Sequence, residues 1–235
     1  MPSLLRQFTA SPTLVRVLPF VLFVLLTVGQ GWMGESSPYW VYLAKTVLGL
    51  GMIAVMWRPV AEMRWAFSRE AIVVGTAVAA VWIGLDGRYP PVSALLAKLG
   101  LAGVGGSTAT QWNPEAHFGP GSGLAWLFIA VRVFGSVVVV PPLEEVFYRS
   151  FLYRYASNPA FLALPLNHFA AGPFLVISLI FGFAHFEWLP GVLCGLAFQA
   201  LVVRKNRLGD AMTAHAITNL LLAVWVVWRG AWHFW

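Results

Sequence analysis

Seven apolar runs separated by short polar breaks organise the chain: Leu14–Trp32, Trp40–Trp57, Ala71–Leu85, Leu124–Tyr155, Pro173–Phe186, Leu189–Val203 and Leu208–Trp228. A helix needs about 20 mostly apolar residues to cross a bilayer, with a range near 17–25. Within lipid a helix satisfies its own backbone groups, so the pattern predicts an all-α polytopic membrane protein of about seven transmembrane helices. The third, fifth and sixth runs are short, which predicts tilted, re-entrant or protein-shielded segments. The fourth is long and contains Pro141-Pro142; proline removes a backbone donor and crowds the preceding turn, so a kink is expected there. The Gly-, Ser- and Pro-rich stretch from Asp86 to Ser122 is the longest break, and within it Val92–Val104 fits a short interfacial helix. No internal repeat or low-complexity tract divides the chain, so residues 1–235 read as a single integral-membrane domain.

Composition sharpens this picture. The 235 residues are 59% hydrophobic and only 10% charged, against about 25% charged in soluble domains. The net charge is +6, but the basic residues are scattered between apolar runs with no aromatic-interleaved patch, which argues against a nucleic-acid partner. They serve better as topology signals. With the N-terminus in the cytoplasm, Arg6, Arg16, Arg58, Arg64, Arg69, Arg149, Arg154, Arg204, Lys205 and Arg207 fall at or near the inner face. Only Arg88, Lys98 and Arg229 fall outside, while Lys45 and Arg132 lie within spans. Arg6 and Arg16 precede an apolar run without a clean small-residue cleavage site, so the first span is expected to be retained. Cys194 is the sole cysteine, so neither an internal disulfide nor a cysteine metal cluster is possible.

Chemistry concentrates in the C-terminal half. Positions 144–149 read Glu-Glu-Val-Phe-Tyr-Arg, three ionisable groups where each costs roughly 2.5–3.5 kcal/mol at a helix centre. Residues four apart share a helix face, so Glu145 and Arg149 are expected to pair. Glu144 points elsewhere and is left available as a general base. Two histidine motifs follow, Phe181-Gly-Phe-Ala-His185 and His215-Ala-Ile-Thr-Asn219. His215 and Asn219 share a face and suit donation to a developing oxyanion; His185 suits orienting a water or exchanging its proton with Glu144. The competing reading is a set of buried polar groups that only fixes helix packing. Tyr148 shares a face with Glu144 and either hydrogen-bonds it or packs; Arg132 pairs, snorkels or receives a charged group of a substrate. Gln199 and Lys45 suit hydrogen bonds between spans.

The ordered pattern Glu-Glu-x-x-x-Arg, Phe-x-x-x-His and His-x-x-x-Asn over Glu144–Asn219 resembles the CPBP family, the CAAX proteases and bacteriocin-processing enzymes. The resemblance implies an intramembrane glutamic endopeptidase that requires no cofactor. It implies that Glu144 and His185 activate water, that His215 and Asn219 stabilise the tetrahedral intermediate, and that Glu145 and Arg149 support them. A membrane-associated protein or peptide is the implied substrate. The stretches Arg16-Val-Leu-Pro-Phe20, Tyr39-Trp-Val-Tyr42 and Ala80-Val-Trp-Ile-Gly-Leu85 resemble more loosely the exosortase-associated CAAX-protease-related group. That implies a multi-pass enzyme of the bacterial inner membrane acting on exported or membrane-tethered proteins.

Three rival classes leave marks to check. A zinc peptidase draws on the same histidines and glutamates, but no His-Glu-x-x-His occurs. Serine and aspartyl intramembrane proteases want Gly-x-Ser-Gly and Gly-x-Gly-Asp, and both patterns fail here. A transporter or scaffold would use the buried ionisable groups as a path, and the repeat of broken helices that would support it is missing. One conflict stays open: the spans put His185 near the outer end of its helix, and Glu144 and His215 deeper.

Overall fold

The computed structural model describes residues 4–98, 100 and 112–235. Among the described residues, two short 3-10 turns apart, ten helices follow in order: α1 Leu4–Ala10, α2 Leu14–Gly29, α3 Ser37–Met56, α4 Arg69–Leu85, α5 Val92–Lys98, α6 Pro114–Phe118, α7 Gly123–Ser157, α8 Ala171–Phe183, α9 Trp188–Lys205 and α10 Leu208–Arg229. No strand occurs among the described residues. The seven apolar runs correspond to α2, α3, α4, α7, α8, α9 and α10. By length and composition α3, α7 and α10 are long and apolar enough to cross a membrane, and α2 and α8 are shorter apolar helices. The helix expected over Val92–Val104 is seen as α5; the remainder of that stretch, Gly100 apart, lies outside the described residues.

The exterior is apolar where that of a soluble protein is polar, and several ionisable groups are buried. Leu22, Leu25 and Val28 of α2, Val47 and Leu48 of α3, Val73 of α4 and Leu175 and Val176 of α8 are exposed. Lys45, Glu145, Arg149, Gln199, Asp210 and His215 are buried. A contiguous apolar exterior of this kind is stable only against lipid, so the chain is an integral membrane protein.

Ion pairs define one end of the bundle. Glu62, in the loop after α3, meets Arg16 of α2 at 2.8 Å and Arg154 of α7 at 3.1 Å, and accepts a hydrogen bond from Ser150. Lys205 pairs with Glu70 at 2.9 Å and Arg207 with Asp210 at 2.8 Å. Gly209 is packed so tightly on the Arg64 carbonyl that no Cβ fits. At the opposite end Ser36 bonds His117, His233 bonds Asp86, and Tyr89 bonds Glu187.

Two elements depart from regular helix. The turn Gly135–Val139 of α7 is a π-helix, leading directly into Pro141-Pro142. A widened turn relieves the clash between a proline ring and the carbonyl four residues earlier. A second π-segment, Val146–Leu152, follows the glutamates. The other departure is α8, whose 13 residues reach only about 20 Å, short of a ~30 Å hydrocarbon core. Helices α8 and α9 form a hairpin held by small residues: a Cβ on Gly182 would lie 2.5 Å from the Val192 amide nitrogen, and one on Gly195 3.0 Å from the Ser178 carbonyl oxygen. Close backbone approach through small residues is how helices pack where hydrophobic burial offers no drive.

Candidate active site

The proline break and its π-turns set the orientation of the two glutamates on α7. Glu145 is fully buried, its Oε2 3.2 Å from Arg149 Nε, as the four-residue spacing predicts. Its other oxygen, Oε1, lies 2.9 Å from His215 Nδ1 on α10. Glu145 is thus shared between a guanidinium on its own helix and an imidazole on another. The Arg149 guanidinium also stacks 4.1 Å over the Phe181 ring of α8, so one ion pair ties α7, α8 and α10 together.

Glu144 is only half-buried and lies on the wall of a partly open cavity of about 890 Å³. Its Oε2 has no hydrogen-bond partner among the described residues. His185, His215 and Asn219 line the same cavity, together with Tyr148 and Trp82. All four residues predicted to act on the substrate are therefore brought to one space, and Glu145 and Arg149 sit behind it.

The remaining contacts fix ring and amide orientations. His185 Nδ1 lies 2.7 Å from the Phe181 carbonyl; a carbonyl only accepts, so Nδ1 carries the proton and Nε2 is left as an acceptor. Asn219 Nδ2 donates to the Ser136 carbonyl at 2.7 Å, and Ser136 belongs to the first π-turn, where backbone carbonyls are released from the regular ladder. Thr218 donates to the Gly75 carbonyl of α4 at 2.9 Å, locking the face of α10 that presents His215 and Asn219.

Helix α8 stops at Phe183, and His185 falls in the hairpin turn at the end of the bundle where Tyr89 meets Glu187, as the spans predict; the cavity extends from Glu144 to that turn, where the His185 ring lies 5.7 Å from Trp82. Tyr148 packs edge-on against Phe181 at 5.1 Å and makes no hydrogen bond to Glu144. Lys45 does bridge spans, donating to Thr27 of α2 at 2.8 Å. Gln199 does not: both its side-chain polar atoms are buried without a partner among the described residues. Sequence reasoning missed the Glu145–His215 contact, which joins residues 70 positions apart and leaves no local signal. It also missed that Lys45 faces the same cavity as Glu144, where Arg132 lies too.

Among the described residues no three or more His, Cys, Asp or Glu side chains converge as metal ligands. Fold and site together define a helical integral membrane protein with a cavity between its helices lined by carboxylate and imidazole groups. Residues 124–221 match the family model described as Type II CAAX prenyl endopeptidase Rce1-like. The match bears out, over that stretch, the resemblance read from the three motifs, and it contains every residue of the site above except those of α2, α3 and α4. It supports a peptidase acting on peptide or protein substrates in a bilayer. No curated protein and no solved structure matches the chain.

Proposed function

We infer that the protein is an intramembrane or membrane-proximal endopeptidase that hydrolyses a peptide bond with water activated by Glu144. The observation that supports it best is the division between adjacent carboxylates: Glu145 is consumed by Arg149 and His215, while Glu144 faces the cavity with an unpartnered oxygen. A carboxylate held only for packing would be paired in the way Glu145 is, since an unpaired buried charge is costly.

In this mechanism Glu144 accepts a proton from water as the water oxygen attacks the scissile carbonyl. The unprotonated Nε2 of His185 accepts the second water hydrogen and orients the nucleophile. The C–O bond forms and the carbonyl π pair becomes an oxyanion. Asn219 and His215 donate to it. Because His215 Nδ1 faces Glu145, Nε2 donates only when the ring carries both protons, and the Glu145 carboxylate is the counter-charge of that form. Glu144 then returns its proton to the departing amine as the C–N bond breaks. The bilayer is that of a bacterial inner membrane, with the ion-paired basic end of the bundle in the cytoplasm, as the positive-inside rule requires.

The test is peptide release followed by mass spectrometry, using wild type and the Glu144→Gln variant in detergent micelles. The expected result is a fall in cleavage rate of about 10²–10⁴-fold with an unchanged melting profile. Cleavage by Glu144→Gln at the wild-type rate would contradict the assignment. A wild type that cuts nothing and releases no peptide would return the cavity to a binding or transport role.

A further inference from the structure

The turn that carries His185 is braced by a loop from another helix. Only residues 184–187 connect α8 to α9, and the His185 amide closes the turn by donating to the Gly182 carbonyl at 3.0 Å. The imidazole is tied to its own chain, with Nδ1 2.7 Å from the Phe181 carbonyl and the ring 4.7 Å from the Phe181 ring. Its Nε2 therefore points wherever the backbone of the turn directs it. Residues 86–91, the loop between α4 and α5, meet this turn. The Tyr89 hydroxyl donates to Glu187 Oε2, and the Trp188 indole donates to the Pro90 carbonyl at 2.9 Å. The Tyr89 ring also meets Trp188 edge-on at 5.8 Å. Trp82, one helical turn before the loop, packs edge-on against the His185 ring. The loop itself has little freedom. Gly87 takes a positive φ of 66°, Pro90 and Pro91 fix their own φ, and Asp86 Oδ2 lies 3.0 Å from His233 Nε2.

We infer that Tyr89 and Glu187 are positioning residues for His185, holding the α8–α9 turn so that Nε2 is presented to the cavity it shares with Glu144. This rests on the endopeptidase reading above, in which Nε2 accepts a water hydrogen. Neither side chain touches the reacting atoms; both act through the turn. Their bond suits the task, because a hydroxyl donating to a carboxylate makes a charge-assisted bond, stronger than one between neutral groups. It also sets His185 in register with the rest of the site. Helix α4 is fastened to α10 where Thr218 donates to the Gly75 carbonyl, and α10 carries His215 and Asn219. Through α4 and Tyr89 the turn is thus referenced to the helix that holds the oxyanion donors. A misplacement of ~1 Å costs a reaction up to about 10²-fold, so the brace has a large effect to exert. Trp82, Tyr89 and Pro90 precede residues 124–221, the stretch matched by the family model.

The test compares cleavage and histidine spectra in micelles. Tyr89→Phe removes only the hydroxyl, and kcat is expected to fall about 10–10²-fold with KM and the melting profile unchanged. Glu187→Ala is expected to match it. The double variant should be no worse than either single one, because the two residues act as a unit. Glu187→Gln keeps an acceptor for the hydroxyl and is expected to retain most of the activity. Arg88→Gln, exposed in the same loop, is the control and should cleave as wild type. The second readout does not require turnover. In protein carrying isotope-labelled histidine, the His185 imidazole signals are assigned by their loss in His185→Gln. They are expected to shift in Tyr89→Phe while those of His215 stay in place. A merely structural role would leave the His185 signals where they are or move both rings together. Either result, a loss confined to KM, or a Tyr89→Phe variant that cleaves at the wild-type rate would overturn the positioning role and leave the endopeptidase reading standing. A wild type that cuts nothing, with the His185 signals still shifted by Tyr89→Phe, would keep the brace and remove that reading.

Discussion

Glu145 and Arg149 occupy a site where neither can be neutralised by water: their side chains are 0% and 2% exposed, and His215 is the only other partner that Glu145 has among the described residues. Removing one member of a buried pair strands the other, which typically costs 3–5 kcal/mol, an order-of-magnitude figure of about that size here. Glu145→Ala and Arg149→Ala are therefore expected to melt well below wild type in micelles as well as to lose activity; two variants that melt like wild type would remove the ion-pair argument. Asn219→Ala acts differently. It deletes an oxyanion donor, so kcat is expected to fall about 10²–10³-fold with KM little changed, and a change confined to KM would count against the role given to Asn219. At this scale the sequence was legible where spacing is local. Glu145 with Arg149, and His215 with Asn219, follow from a four-residue helical repeat. Glu145 with His215, and Asn219 with the Ser136 carbonyl, depend on how α7 meets α10, and no periodicity within either helix encodes that.

The α8–α9 hairpin is the element on which the placement of His185 depends. Its two helices approach through Ser178, Gly182, Gly191 and Gly195, and the turn between them carries His185. A methyl group at Gly182 would collide with the Val192 backbone, which a flexible side chain cannot relieve by rotating away. Gly182→Ala is expected to destabilise by about 1–3 kcal/mol, the usual range for overpacking, and to depress cleavage by moving His185. Gly84→Ala in α4, where nothing lies within 4 Å, is the control and should melt as wild type or slightly higher. A Gly182→Ala protein with normal stability and activity would show that the hairpin is looser than drawn. The shortness of the fifth apolar run was visible in the sequence. Its consequence was not, because the packing of α8 against α9 and the end of α7 decides where a short helix sits and stops. The proline break was legible too, but the close approach of Gly135 to Tyr42 and Thr46 of α3, which leaves no room for a side chain at the first π-turn, was not.

Over the whole molecule, polarity is sorted into three zones: an apolar exterior, a cavity lined by Glu144, His185, His215 and Asn219, and an ion-paired end centred on Glu62. Burial works to raise the Glu62 pKa, but the Arg16 guanidinium and the Ser150 hydroxyl outweigh it, so its carboxyl titrates below the ordinary range. A depressed folded value means that the stabilisation is complete above the unfolded value of about 4.3 and is lost as pH falls through the folded one. Acid is therefore expected to loosen the link between α2, the Glu62 loop and α7, and Glu62→Gln should flatten the acid limb of the melting curve; an unaltered limb would mean that other carboxylates govern it. The account as a whole stands on Glu144 activating water without a metal, and that is tested most directly by one comparison. Cleavage of a single apolar peptide is measured with chelator-stripped wild type, the same protein resupplied with zinc, and Glu144→Gln. The account predicts full activity after stripping, no gain on adding zinc, and loss in Glu144→Gln. Activity that vanishes on stripping and returns with zinc would make these glutamates and histidines metal ligands and contradict the mechanism.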